Sequence, residues 1–130
     1  MSVPAACYIW SRDRNIKQDF AEVDPGEVLE KVVALDVRSW TYTNDPDRRH
    51  LGPVAQDFHA AFGLNGTDDK HIATVDADGV ALAAIQGLNQ KLAEREALLR
   101  RELERRDAEN AELKQRLEAL EQIVHQQKCN

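Results

Sequence analysis

The sequence contains few aromatic residues and no long apolar run. Only 5% of its 130 residues are aromatic, so we expect a small packed core. No stretch approaches the ~18 apolar residues that a spanning helix requires, and residues 1–6 lack the basic and apolar regions of a signal peptide. With 42% hydrophobic and 31% charged residues, the composition predicts a folded protein with no membrane partner.

Cysteine is equally sparse, with Cys7 and Cys129 near opposite ends of the chain. No Cys-x-x-Cys pair or Cys/His cluster has the spacing of a zinc site, so we expect no metal and no cofactor. Free thiols in a reducing compartment are favoured over a bridge between the two cysteines, although the bridge is left open.

The two parts of the chain differ in charge. Residues 1–79 hold 8 Lys/Arg against 14 Asp/Glu, a net charge of −6, whereas residues 80–130 hold 9 of each. Nucleic acids carry negative phosphates and attract basic surfaces. The acidic N-terminal part therefore argues against nucleic acid as a partner.

Residues 11–79, which we call the head, contain alternating helix and strand signals. Asp24-Pro25-Gly26-Glu27 predicts a helix start with Asp24 as the cap. The apolar face of that helix would be Val28, Leu29, Val32, Val33 and Leu35. Residues 37–43 are predicted to form a strand with Trp40 and Tyr42 on one face, and residues 44–47 a turn. A second helix is predicted from about Gly52-Pro53 to Gly63, with Val54, Phe58 and Ala61 or Phe62 on its buried side. A short strand is predicted over residues 71–75. The head is thus predicted to be a small α+β unit whose strands pair with each other or with a neighbouring chain.

Two histidines of the head are weighed as functional candidates. His59 follows Phe58 on a predicted helix with no carboxylate or cysteine at ligand spacing, so a surface or packing role is favoured. His50 follows Arg48-Arg49. A structural hydrogen bond is favoured over catalysis for His50, because no nucleophile is near it in sequence.

Residues 80–130, which we call the stalk, read as one long helix that begins near Asp76 or Asp78. From Leu92 onward, alternating steps of three and four residues define a seam with the 3.5-residue period of a coiled coil. Its positions are Leu92, Glu96, Leu99, Leu103, Arg106, Asn110, Leu113, Leu117, Leu120 and Val124. The alternative is a lone amphipathic helix folded back on the head. Upstream, Val80, Leu82, Ile85 and Leu88 form a broader apolar face that we expect to pack against the head.

Several ordered motifs resemble a known family. They are Asp13-Arg14-Asn15-Ile16-Lys17, Val23-Asp24-Pro25-Gly26-Glu27-Val28-Leu29, Trp40-Thr41-Tyr42, Arg49-His50-Leu51-Gly52-Pro53-Val54-Ala55-Gln56-Asp57-Phe58 and Val75-Asp76-Ala77-Asp78-Gly79-Val80-Ala81-Leu82. Together, over about residues 11–125, they resemble the C-terminal intramolecular chaperone auto-processing domain of phage endosialidases, tailspikes and tail fibres. The same domain occurs in bacterial surface proteins and in a membrane-tethered animal transcription factor.

The resemblance implies a parallel homotrimer that helps an upstream β-rich passenger of the same precursor to fold. It also implies assembly in the cytoplasm of a bacterial host, with the passenger destined for a virion tail or a bacterial surface. Residues 1–10 would then be a remnant of the passenger or of a linker. Joining three chains at one end raises the effective concentration of their passenger strands, whose non-local contacts otherwise form slowly.

The resemblance further implies self-cleavage at the N-terminus of the domain by a serine and a lysine. Lys17 matches the lysine, which must be neutral to accept a proton and therefore needs a lowered pKa. The matching serine position is occupied by Arg12, and Ser11 stands one residue early. We therefore expect that the chain does not cleave itself efficiently. An active Ser11–Lys17 pair and a plain coiled-coil module without chaperone activity both stay open.

Overall fold

The computed structural model describes residues 12–129, and within this range the chain is α+β. Its elements are α1 (Pro25–Ala34), β1 (Arg38–Tyr42), β2 (Asp45–Gly52), α2 (Ala55–Phe62) and α3 (Thr74–Lys128). The predicted α+β class and the long C-terminal helix are confirmed. The chain divides into an N-terminal unit that ends at Asn89 and a C-terminal unit that begins at Gln90, and each is described by itself. The predicted division at residues 11 and 80 stays a prediction.

Helix α1 begins as predicted. The Asp24 carboxylate accepts hydrogen bonds from the backbone N–H groups of Gly26 (2.9 Å) and Glu27 (3.4 Å), and Pro25 occupies the first turn. Leu29 is buried, but Val33 is exposed, so the prediction of one continuous buried face is wrong at Val33. α3 approaches α1 at Pro25 and Leu29, in the first two turns of the helix, and Val33 lies one turn further along.

Removing this cap gives a first testable prediction. Asp24→Ala leaves two N–H groups at the start of α1 without their acceptor, and we expect a loss of about 1 kcal/mol in the free energy of unfolding. Urea unfolding followed by tryptophan fluorescence measures the change. Asp36→Ala is the control, because it removes only the exposed Asp36–Arg38 ion pair. A loss of about 0.5 kcal/mol or less is expected there. Equal losses in the two variants would contradict the capping role.

The sheet of the described residues is one antiparallel hairpin, with Trp40 opposite His50. The predicted turn over residues 44–47 is wrong, because the chain turns at Thr43 and Asn44 and β2 already starts at Asp45. The pairing register shifts between Thr41 and Tyr42, and such an irregularity tolerates Pro46 inside the second strand.

The predicted strand over residues 71–75 is also wrong, because α3 begins at Thr74. The carbonyl of Ala73 accepts hydrogen bonds from the N–H groups of Asp76 (3.0 Å) and Ala77 (3.1 Å). These bonds place Val75 in the first turn of a helix. The β-branched residues Thr74 and Val75, which suggested a strand, therefore belong to the first turn of α3.

Helix α2 matches its prediction in part. Phe58 is buried, Ala61 and Phe62 are half-buried, and Gly63 ends the helix in the left-handed conformation (φ 62°), as predicted. Val54 lies outside the helix and is exposed, so its predicted burial is wrong. Val54 is the N-cap of the helix and has extended backbone (φ −80°, ψ 149°), so its side chain does not continue the helical face of Phe58.

The buried hydrophobic residues of the described chain are only Leu29, Phe58 and Ala84. α3 presents Ala84 and Gly87 to the interior, while Leu82, Ile85 and Leu88 are exposed. The prediction that these three larger residues pack on the head is therefore wrong; of that set, only Val80 is half-buried. The reason is steric. A Cβ atom added at Gly87 would lie 2.2 Å from the carbonyl oxygen of Pro25, so this approach of the helices requires a small residue.

Candidate functional site

The described segment before α1 carries Arg12 and Lys17 and folds into a short, locally bonded turn. A 3-10 turn spans Arg14–Ile16, and the Asp13 carboxylate accepts hydrogen bonds from the backbone N–H and the side-chain amide of Asn15, both at 3.0 Å. The guanidinium of Arg14 lies 5.3 Å from the ring centroid of Phe20. These contacts hold the segment in one shape.

Arg12 is tied to the start of the long helix. Its guanidinium donates a hydrogen bond to the carboxylate of Asp78 at 2.8 Å, and both side chains are about half exposed. A serine at this position is too short to make the same contact. Arg12, which stands where a serine nucleophile is expected, therefore links the N-terminal segment to α3.

Lys17 ends the 3-10 turn, where its backbone N–H donates to the carbonyl of Arg14 at 3.1 Å. Its side chain is exposed and makes no hydrogen bond or ion pair to any residue between 12 and 129. A lysine that acts as a general base needs burial or neighbouring positive charge. The single chain does not bury Lys17. Ser11, the candidate nucleophile, lies outside the described residues, as does Cys7.

The hairpin carries an aromatic cluster that sequence analysis did not assemble. The rings of Trp40 and His50 stack with centroids 4.9 Å apart, and Tyr42 meets both rings nearly edge-on at 4.8 and 5.2 Å. His50 thus packs against rings, and the hydrogen bond expected for it is not formed among the described residues. The missing signal was the register. Once Trp40 is known to face His50, the cluster follows from cross-strand pairing.

A cavity of about 470 Å³ borders this cluster and also contacts His71 and Ile72. The indole N–H of Trp40 is buried and has no hydrogen-bond partner within residues 12–129. Nearby, the backbone N–H of Lys70 and the ring of His71 both bond the Asp68 carboxylate at 2.9 Å and hold the pKa of Asp68 below its usual value. These groups shape a polar edge beside an aromatic face.

His59 occupies a structural position, in line with the packing role predicted for it. It is half-buried, and its Nε2 atom is 2.9 Å from the carbonyl oxygen of Gly66. This contact links α2 to the loop that follows Gly63, in which Asn65 also has positive φ. The bond connects two parts of the fold and brings no other titratable group to His59.

In the C-terminal unit, the predicted seam positions lie on α3 with their side chains exposed to solvent. The aliphatic members are Leu92, Leu99, Leu103, Leu113, Leu117, Leu120 and Val124. Among the polar members, Arg106 donates from Nε to the Glu102 carboxylate at 2.8 Å within the same chain. Asn110 is exposed at its seam position. The helix therefore carries a line of apolar side chains that the chain itself leaves uncovered.

Between residues 12 and 129, no three His, Cys, Asp or Glu side chains are grouped so that they could hold a metal ion. None of the helices described has an apolar stretch long enough to cross a membrane. The remaining candidates are thus the N-terminal turn, the aromatic hairpin and the seam of α3.

Comparison with known proteins gives one match. Residues 13–67 match the family model described as chaperone of endosialidase, and the matched segment includes Lys17, α1, the hairpin and α2. No curated protein and no solved structure matches the chain. Arg12 and the motif over residues 75–82 lie outside the matched segment. The resemblance carried by the ordered motifs is confirmed over residues 13–67, where the chain matches the model of the chaperone-of-endosialidase family.

Proposed function

We propose that this chain is an intramolecular chaperone that associates as a parallel homotrimer through α3 and guides the folding of an upstream β-rich passenger. The match of residues 13–67 to the chaperone-of-endosialidase family model supports the chaperone role. The observation that carries the trimer is the line of exposed aliphatic side chains on α3. The number three comes from the family resemblance, because leucine at both kinds of seam position permits several oligomeric states.

Burial energetics favour association. In the described residues three hydrophobic side chains are buried, while 21 large ones are exposed. Each seam leucine is about 60% exposed, so covering it on association contributes on the order of 1 kcal/mol. Over seven aliphatic positions per chain, this gain is comparable to the cost of bringing chains together. A small N-terminal unit joined to a coiled coil thus gains its stability from the oligomer.

The chaperone role follows from what a trimeric end does to the chains attached to it. Three passengers held together at one end meet at high effective concentration and in a common register. Their intertwined β-structure then forms without a search between separate chains. We place this assembly in the cytoplasm of a bacterial host, with the finished passenger exported to a virion tail or a bacterial surface.

Self-cleavage is the part of the family function that we expect to be weak in this chain. Arg12 has no nucleophilic hydroxyl and is bonded to Asp78, and the side chain of Lys17 is exposed. Ser11–Lys17 is retained as the alternative pair.

The proposed trimer is tested by substituting two adjacent leucines whose side chains are almost equally exposed. Leu99 is 63% exposed on the seam and Leu98 is 62% exposed beside it. Leu99→Asp brings one carboxylate from each chain into the seam, whereas Leu98→Asp leaves the added charge on the outer face. We expect light scattering to give three times the chain mass of 14.7 kDa for the unmodified protein and for Leu98→Asp. For Leu99→Asp the mass should fall towards that of one chain. Monomeric unmodified protein, or identical behaviour of the two variants, would exclude the seam.

The plain coiled-coil alternative is separated by a passenger fusion. A trimeric β-rich passenger is placed upstream of the full chain, of the Leu99→Asp variant, and of the chain without residues 92–130. We expect soluble, correctly folded passenger only in the first. A passenger that folds and trimerises equally well in all three fusion proteins would contradict the chaperone function. Folding rescued by an unrelated trimeric coiled coil in place of residues 13–130 would favour the plain module.

A further inference from the structure

The turn before α1 presents apolar side chains flanked by basic ones. We call residues 14–20 the basic knob. Ile16 and Phe20 are 69% and 65% exposed, although the contact between Arg14 and Phe20 and the cap at Asp13 order the turn. Lys17 adds a second basic group and Asp19 one acidic group, so the knob carries a net charge of +1. An ordered turn with two large exposed apolar side chains has the composition of a contact surface.

The same N-terminal unit contains an apolar groove whose border is acidic, opposite in charge to the basic knob. This acidic groove, of about 500 Å³, lies between α1, the end of α2 and the first turns of α3. Its apolar lining includes Val28, Phe62, Leu64 and Val80. Four carboxylates border it, those of Glu22, Asp24, Glu27 and Asp76, against a single lysine, Lys31, which is paired with Glu27 at 2.9 Å. The groove therefore suits an apolar segment that carries positive charge.

The knob does not occupy the groove of its own chain. None of residues 14–20 lines the groove, and Ile16 and Phe20 remain largely exposed. Phe20 is only two residues from Glu22 on the groove border, which leaves at most about 7 Å of extended chain. A second copy has no such tether.

The ion pair between Arg12 and Asp78 fixes the position of the basic knob along the axis of α3, close to Asp78. The groove includes Asp76, Gly79 and Val80, which belong to the same turns of that helix. In a parallel trimer, equivalent residues of all chains lie at the same height along the symmetry axis. The knob of one copy is thus level with the groove of its neighbour, and a head-to-tail contact repeated three times closes a ring.

We propose that the basic knob of each chain docks into the acidic groove of the adjacent chain in the oligomer. Ile16 and Phe20 supply the apolar contact, and Arg14 and Lys17 face the carboxylates of the groove border. This inference rests on the proposed parallel oligomer and adds a specific contact outside the seam. It also gives Lys17 a covered environment that the single chain lacks.

The contact is tested by crosslinking in the full chain. Cys7→Ser and Cys129→Ser remove the native thiols, and Ile16→Cys is combined with Leu64→Cys, which lies in the groove and is 37% exposed. Treatment with a short bismaleimide is followed by denaturing electrophoresis. We expect a covalent trimer, because each knob is joined to the next chain. The matched control pairs Ile16→Cys with Val33→Cys, an exposed residue of α1 outside the groove, and should give no trimer.

The outcomes separate this inference from the proposed function. Light scattering is measured on the same samples before crosslinking. An oligomer that gives no covalent trimer, or gives it equally with Val33→Cys, overturns the docking contact and leaves the seam intact. A crosslink confined to single chains shows that the knob uses its own groove and also overturns it. A monomeric sample overturns both proposals.

A charge exchange gives an independent check that needs no cysteine. Lys17→Glu should raise the concentration at which the oligomer half dissociates by about 5-fold, within the range of exposed ion pairs. Adding Glu22→Lys should restore the original value, because the opposite charges again face each other across the contact. Failure of the second substitution to rescue the first would overturn the charge pairing at the groove.

Discussion

Arg12→Ser is expected to create self-cleavage in a chain that carries a passenger upstream. The introduced hydroxyl attacks the carbonyl carbon of residue 11, and Lys17 accepts its proton. The peptide bond then breaks as the amide nitrogen of residue 12 is protonated, and water hydrolyses the resulting ester. The ion pair with Asp78 is lost, but both side chains are about half exposed, so the effect on stability should be small.

The measurement is the appearance of a fragment whose first residue is number 12, identified by N-terminal sequencing. Adding Lys17→Ala should slow its formation by about 100-fold or more, the usual contribution of a general base. Arg12→Ala is the matched control, since it removes the ion pair without adding a hydroxyl. Cleavage in Arg12→Ala, or cleavage of the unmodified chain that Ser11→Ala abolishes, would identify Ser11 as the nucleophile.

Gly87→Ala is expected to destabilise the N-terminal unit, although alanine favours a helix interior more than glycine does. The added methyl group would lie 2.2 Å from the carbonyl oxygen and 2.7 Å from the carbonyl carbon of Pro25, and 3.0 Å from Cβ of Leu29. Because two of these atoms are backbone, α1 and α3 must separate. Overpacking of this kind costs about 1–3 kcal/mol. That cost opposes the gain of about 1 kcal/mol that alanine brings to a helix interior.

Gly79→Ala is the matched control in the same helix. A Cβ atom at Gly79 meets nothing within 4 Å, so only the helix propensity changes and the melting temperature should rise. Thermal unfolding followed by Trp40 fluorescence, in a Trp10→Phe background, compares the two variants. We expect Gly87→Ala to melt several degrees below the parent. An increase in both variants would show that the close approach of α1 and α3 is not required.

Local signals predicted the elements that are stabilised within a few residues. The start of α1 depends on the side chain of Asp24 and the geometry of Pro25, and the end of α2 depends on the left-handed conformation of Gly63. The long helix and its 3.5-residue seam are likewise written in a repeating pattern. For these two helix ends the stabilising group is a near neighbour in sequence, so sequence analysis could find it.

Errors arose where the deciding partner is distant. Pro46 suggested a turn, yet strand pairing with a register shift accommodates it. Val75 suggested a strand, yet it lies in the first turn of α3. Leu82, Ile85 and Leu88 suggested packing against the head, yet the larger side chains face solvent, while Ala84 is buried and Gly87 approaches α1. Hydrophobicity alone ranks leucine as the better core residue, whereas the distance between two backbones selected the smaller ones.

The sequence by itself determined the α+β class, the first helix and the long C-terminal helix, and its ordered motifs predicted the family match over residues 13–67, because each depends on local or repeating patterns. Only the tertiary structure revealed the ion pair between Arg12 and Asp78, the stacking of Trp40 on His50 and the acidic groove. These features join residues that are 10 to 66 positions apart in the chain. Contacts of that kind follow from backbone approach and register, which no short stretch of sequence specifies.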